Sequence, residues 1–331
     1  MRLFFLQALV VTGVVLAQEN QAQSTTGLAS FLKRGFSARW VGMGGAPIAL
    51  VNDATSIYWN PAGLVNGKIF QLNLSRADET VFSDLKYNQF AFSLSNHASQ
   101  KYHIGIGMGY MDTRVDGIDL YDAEANYISS SQYYEAIILG GLALSMGGLK
   151  IGFAHLNYMV NNLGVTQSTT LNMKKDFIIL GLQYYIFKGL NVGVTIRNKT
   201  ELLPREYLEG ERKIGISYTQ KRRNSEDDWI NFGMDFNKVE YGGLLSSGVE
   251  FFPFKKGPLK GIAVRTGIAN VKITGTANDK ILDYRQKLTF GIGYVHAASD
   301  KWKFRFSASI SQHTHPSISE SFSDPFSRNT L

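Results

Sequence analysis

The chain contains no cysteine among its 331 residues. That excludes disulfides, thiol nucleophiles and thiolate metal centres, and leaves no cysteine to carry a lipid anchor. Proline is scarce, at 7 residues, and no Pro/Ser-rich stretch marks a linker, so one large β domain is expected rather than two smaller ones. After the leader, no apolar run approaches the ~20 residues of a spanning helix. Charge is not concentrated either. The net value is +7, but Lys and Arg are spread along the chain, and the densest basic run, Gln220 to Asn224, is followed at once by the acidic Glu226, Asp227 and Asp228. Nucleic-acid binding requires cations gathered into a patch or stripe, so it is excluded.

Catalytic and metal signatures are also missing. Of the six histidines only His313 and His315 lie close together, short of the three or four ligands a metal site needs. There is no Gly-x-Ser-x-Gly elbow and no His-Glu-x-x-His motif. Gly105, Gly107 and Gly109 alternate within a strand-like segment, and Gly42, Gly44 and Gly45 lack the strand–turn–helix setting of a dinucleotide loop. No catalytic residue, cofactor or metal is expected, and the chain is read as a non-enzyme.

What is present begins with Met1-Arg2, an apolar run from Leu3 to Leu16 interrupted at Gln7, and Ala17 with Val15 two before it. This three-part form predicts a secretory signal peptide over residues 1–17, cleaved after Ala17. From residue 69 onward apolar residues fall at alternate positions, segment after segment. Ile230, Phe232, Met234 and Phe236 share one face, while Asn231, Gly233, Asp235 and Asn237 share the other. The same parity holds from Leu190, Ile262, Leu288 and Trp302. Thirteen segments stand out, beginning near residues 70, 86, 103, 133, 149, 177, 190, 213, 229, 245, 259, 287 and 302.

A soluble β-sandwich also alternates, with its apolar faces turned to a core. Three features favour a barrel whose apolar faces meet lipid. The stripes match the ~9–11-residue strands that cross a bilayer, aromatic residues cluster near segment ends, as at Tyr133-Tyr134, Tyr184-Tyr185 and Phe251-Phe252, like an interfacial girdle, and an export leader comes first. An even strand number is required, so one more strand is expected, in the N-terminal segment or after His315.

Ahead of the strands, residues 38–64 pack Gly42, Gly44 and Gly45, Asp53 and an Asn60-Pro61-Ala62-Gly63 turn. Together with Arg39, Met43, Ala46, Tyr58 and Leu64, this segment resembles the N-terminal region of FadL-type outer-membrane transporters, and more closely their PorV/PorQ branch. The resemblance implies an all-β, closed antiparallel transmembrane β-barrel of about 14 strands over residues 69–331, with an N-terminal plug over residues 18–68. It also implies residence in the outer membrane of a Gram-negative-type bacterium. The expected plug motif is Arg39, Gly42, Gly44, Gly45, Asp53, Asn60, Pro61 and Gly63.

Parity places Arg197, Asp235, Glu250, Arg265, Lys303 and Arg305 on the lumen face, for anchoring a plug or for lining a polar path. Asp53 is expected to pair with Arg39 or with a wall arginine. The acidic stretch from Asp112 to Gln132 is read as a long external loop that contacts protein or is simply solvated. A calcium site there would draw on Asp112, Asp116, Asp119, Asp122 and Glu124, though their spacing matches no calcium loop. The chain ends without the terminal aromatic residue usual in such barrels, so Phe326 is a displaced signal or the last strand closes at Phe304 to Ile310.

Two functions share this scaffold. One is passive passage of a small hydrophobic ligand past the plug. The other is service as an accessory of the type IX secretion system, with secretion-system proteins or secreted cargo as partners.

Overall fold

A computed structural model describes residues 31–32, 35–66, 70–79, 85–96, 102–121, 124–163, 171–203, 206–208, 210–223, 227–239, 242–274, 286–297 and 303–313. The expected signal peptide, residues 18–30 of the expected plug, His315 and Phe326 lie outside the described residues.

The strands are β1 (Phe70–Glu79), β2 (Leu85–Asn96), β3 (Tyr102–Tyr121), β4 (Tyr127–Met146), β5 (Leu149–Leu163), β6 (Leu171–Phe187), β7 (Leu190–Arg197), β8 (Thr200–Leu203), β9 (Glu206–Leu208), β10 (Glu211–Lys221), β11 (Asp228–Val239), β12 (Gly242–Phe251), β13 (Ile262–Thr274), β14 (Lys287–Ala297) and β15 (Lys303–His313). Thirteen of them form one sheet in the order β1-β2-β3-β4-β5-β6-β7-β10-β11-β12-β13-β14-β15. Every neighbour is antiparallel, in simple up-and-down succession. Each of the thirteen alternating segments of the sequence became one strand of this sheet. β8 and β9 form a separate small hairpin between β7 and β10, which the alternation does not announce. Among the described residues β1 and β15 are the edges.

The sheet is inside out relative to a soluble protein. On β2, Gln89, Ala91, Ser93 and Ser95 are buried while Phe90 and Leu94 are exposed. On β14, Thr289 is buried while Phe290 and Ile292 are each 58% exposed, and on β15 Phe306 and Ile310 reach 63% and 74%. A sandwich would bury these stripes. Here the buried face is glycine-rich and mixed, polar over much of the sheet with an apolar patch at Met111, Ile137, Leu156 and Phe177, while long apolar stripes point outward, so the sandwich alternative fails.

The stretch from Asp112 to Gln132 is not a loop. β3 runs on to Tyr121 and β4 starts at Tyr127, paired from Thr113↔Glu135 through Leu120↔Ser129 with a register shift between Val115 and Ile118. The outer face here carries polar groups, among them Asp112, Arg114 and Gln132. Pairing continues past the apolar band, and only the alternation that advertises a strand in the sequence stops. Among the described residues no three metal-ligating side chains gather, and Asp112 accepts from Asn88 and Tyr110, while the side chains of Asp116, Asp119 and Asp122 lie outside the described ones.

The described residues of the N-terminal segment hold two short helices, α1 (Ala38–Gly42) and α2 (Ser56–Trp59), and a 3-10 turn at Pro61–Asn66. Neither helix has a side-chain N-cap, and five and four residues are too few to be stable alone. Packing holds them. α1 lies against β13, β14 and β15, and the 3-10 turn against β2 to β6. Phe36, Trp40, Met43, Ile57 and Leu64 of the segment join Met111, Ile137, Leu156 and Phe177 of the strands in one buried apolar cluster.

Candidate functional site

The segment can lie this close because the wall offers it glycines. Gly105, Gly152, Gly181, Gly193, Gly215, Gly233, Gly248 and Gly267 all turn their missing side chains toward it. A Cβ on Gly193 would sit 2.5 Å from the Ile48 carbonyl oxygen, and one on Gly105 2.6 Å from that of Leu64. Many of these positions are cross-strand partners. Gly152 pairs with Gly181, Gly193 with Gly215, Gly233 with Gly248 and Gly248 with Gly267. The result is a belt of bare backbone running across the sheet.

The motif glycines reciprocate. Gly44, at φ 69°, would drive a Cβ to 2.5 Å from the Ser247 carbonyl oxygen, whereas Gly45, at φ 68°, faces open space and is required by its backbone angle alone. Gly42 packs on Gly291, and Gly63 on Val51 and Ser56. Pro61 opens the 3-10 turn against Gly152 and Gly181.

Polar side chains of the wall then satisfy the segment's backbone. Gln89 accepts from Ser37 N (2.8 Å) and donates to Gly35 O (2.9 Å). Gln183 donates to Ile48 O and Val51 O (3.1 and 3.2 Å), and Thr195 to Trp59 O (3.1 Å). Asp235 accepts from Ile48 N (2.9 Å), and Thr289 accepts from Gly44 N (3.0 Å) while donating to Gly42 O (3.2 Å). Asn60 reaches in the opposite direction, donating to Ile48 O (2.8 Å) and to Leu182 O of the wall (3.1 Å).

One cluster of charge sits under this layer. Arg39 donates to both oxygens of Glu250, from Nε (3.1 Å) and Nη2 (2.7 Å), while Arg265 donates from Nε to the same carboxylate at 2.8 Å. Asn231 supplies a fourth donor at 2.9 Å, which fills the carboxylate's acceptor capacity. Arg39 also donates from Nη1 to Asp53 and Asn52, both at 3.3 Å, and its guanidinium lies 4.2 Å over the Trp40 ring. Side-chain exposure is 0% for Glu250 and Arg265 and 3% for Arg39, so little water screens these contacts. Burial alone would lower the Arg39 pKa, but Glu250 and then Asp53 more than reverse this and hold it above the usual arginine value.

The expected lumen charges thus divide. Glu250 and Arg265 meet Arg39 and Asp53. Asp235 holds the Ile48 amide instead, and Arg197 pairs with Glu211 at 3.2 Å, where Lys213 also binds Glu211 at 3.0 Å. Tyr58, Trp59, Ile179, Thr195, Arg197, Glu211 and Lys213 line a cavity of about 10 Å³, room for about one water. The side chains of Lys303 and Arg305 lie outside the described ones. Sequence reasoning missed the gripping roles of Gln89, Gln183, Thr195 and Thr289 and the cross-strand pairing that joins the inward glycines into a belt. The available signal was glycine recurring at inward parity on successive strands.

No protein-family model matches the chain, and no curated protein matches it by sequence. Among solved structures, the TodX deltaS2S3 mutant monoaromatic hydrocarbon channel aligns with a TM-score of 0.54 at 11% identity, over 84% of this chain and 99% of that one. The TodX deltaS2 mutant gives 0.53 at 11% identity, over 85% and 99%. The chain shares the fold of these channels. At this identity the likeness speaks of architecture alone. The Ralstonia pickettii toluene transporter TbuX also aligns, at 12% identity over 86% of this chain and 100% of that one, but its TM-score of 0.45 carries no weight.

Proposed function

We propose that this chain is an outer-membrane, FadL-like closed barrel of about 14 strands that gives small hydrophobic molecules passive passage past an N-terminal plug. The observation that carries this reading is the inverted sheet. Phe290, Ile292, Phe306 and Ile310 are exposed on one face, while the other, glycine-lined with both polar and apolar side chains, is covered by residues 35–66. A lipid environment makes an outward apolar band favourable, and closure leaves no unpaired backbone in hydrocarbon. With the segment docked, the lumen is occupied, so passage requires the segment to yield.

The monoaromatic hydrocarbon channels with which the fold is shared support an apolar cargo of similar size. Placement within the PorV/PorQ branch rests on the motif around Gly44 and Asn60. The comparisons give the secretion-accessory alternative no support.

Vesicles with a lipopolysaccharide outer leaflet provide the test, because that leaflet resists apolar solutes. Radiolabelled toluene should enter protein-containing vesicles faster than protein-free ones and with saturation. Equal, non-saturating entry in both would contradict the proposal.

A further inference from the structure

Three buried charges, Arg39, Glu250 and Arg265, and the partly exposed Asp53 are divided between two bodies in an ordered way. Arg39 and Asp53 belong to the segment, 3.3 Å apart, and Glu250 and Arg265 belong to the wall, 2.8 Å apart. Among the described residues the ionic contact between the bodies is that of Arg39 with Glu250. If the segment leaves, each body retains a neutral pair. Glu250 keeps Arg265 and Asn231, and Arg39 keeps Asp53 and Asn52. A single buried pair behaves differently, because parting its members strands a desolvated charge on each side.

Many of the polar contacts across the divide suit release as well. They are hydrogen bonds to or from the segment's backbone, at Gln89, Gln183, Thr195, Asp235 and Thr289, which water can replace. Release also parts Asn60 from Leu182 O and uncovers the apolar cluster shared with the wall, so the docked state dominates. The glycine belt presents no side chains to interlock with the departing backbone.

We propose that this arrangement is a releasable latch. The segment undocks and redocks along the line between the two neutral pairs, with Arg39 as the bolt and Arg265 as the keeper that compensates Glu250 when the bolt is withdrawn. This inference rests on the reading of residues 35–66 as a plug and adds how that plug is let go. Its particular consequence is a difference in sign. Removing Arg39 frees the segment. Removing Arg265 tightens it, because Glu250 then depends on Arg39 and the repulsion between the two guanidinium groups is gone. Were Arg265 merely a structural part of the wall, its loss would loosen the segment.

The absence of cysteine permits a direct test in the full chain. Ser56 is fully buried on α2 and its hydroxyl makes no hydrogen bond, so Ser56→Cys is a mild reporter of undocking. Modification of that thiol by a hydrophilic, membrane-impermeant maleimide is timed in proteoliposomes. In the Ser56→Cys background, Arg39→Gln should raise the rate about tenfold, the weight of one charge-assisted contact. Arg265→Met should lower it about threefold or more. Arg265→Gln, which keeps a donor near Ser307, should lower it in the same sense and guards against a folding defect in the methionine variant. Equal acceleration by Arg39→Gln and both Arg265 variants would overturn the latch while leaving the plug in place. If the Ser56→Cys parent reacts as fast as a fully exposed thiol, the plug reading fails, and the latch with it.

Discussion

At the residue scale, Glu250 is the position on which most depends. Four donors converge on its carboxylate in a site with little water screening, three of them from two guanidinium groups and one from Asn231. Glu250→Ala leaves Arg39 and Arg265 facing each other with no anion between them. Breaking a buried ion pair in this way costs about 3–5 kcal/mol, so denaturant unfolding of the detergent-solubilised variant should shift to a clearly lower midpoint. The glycines supply a complementary case. Gly44→Ala meets both a positive φ and the Ser247 carbonyl, whereas Gly140→Ala, on the exposed side of β4, meets nothing within 4 Å. The first should lose about 1–2 kcal/mol from the backbone angle alone, read as a fall in the same midpoint. The second should be close to neutral.

At the scale of elements, the strands were legible and the lengths of some were not. Alternation announced all thirteen members of the sheet because an apolar outer face is required only within the apolar band. Beyond it, β3 and β4 continue with polar outer residues, so the sequence there looks like a loop. The hairpin of β8 and β9 was illegible for a related reason. Its four- and three-residue strands are too short to show a period, and Leu202 and Leu208 are buried by the tertiary cluster rather than by a repeating pattern.

The charges show the same split. Arg197, Asp235, Glu250 and Arg265 lie on the buried face of the sheet, but which of them meets Arg39 depends on where the segment docks across the sheet, which no local pattern encodes. The band itself can be mapped by substitution. Phe290→Arg, within the outward apolar face, should cost about 2–4 kcal/mol in a bilayer. Asn157→Arg on β5, beside the exposed Asp176, should cost much less, measured by equilibrium unfolding in lipid vesicles.

At the scale of the whole molecule, a mixed inner face and an apolar outer face are two consequences of one choice of solvent. On the proposed reading, lipid covers the outward apolar stripes, and the remaining apolar cluster forms between the inner face and a segment of the chain itself. The thirteen up-and-down strands leave β1 and β15 running in the same direction, so closure by antiparallel pairing calls for a further strand between them. The proposed plug supplies the remaining packing, and its grip is distributed over six strands through backbone hydrogen bonds and the Glu250 carboxylate. Single conservative changes at one gripping residue should therefore loosen it only partially.

The most direct measurement is the electrical conductance of the full chain in planar lipid bilayers, compared with Gly248→Val. Gly248 lies against the Met43 carbonyl, so the new side chain occupies the place of the docked backbone while remaining well suited to a strand. The account predicts that the unaltered protein inserts with little steady conductance and that Gly248→Val produces stable open steps. Insertions of the unaltered protein that already conduct as freely as the variant would contradict it.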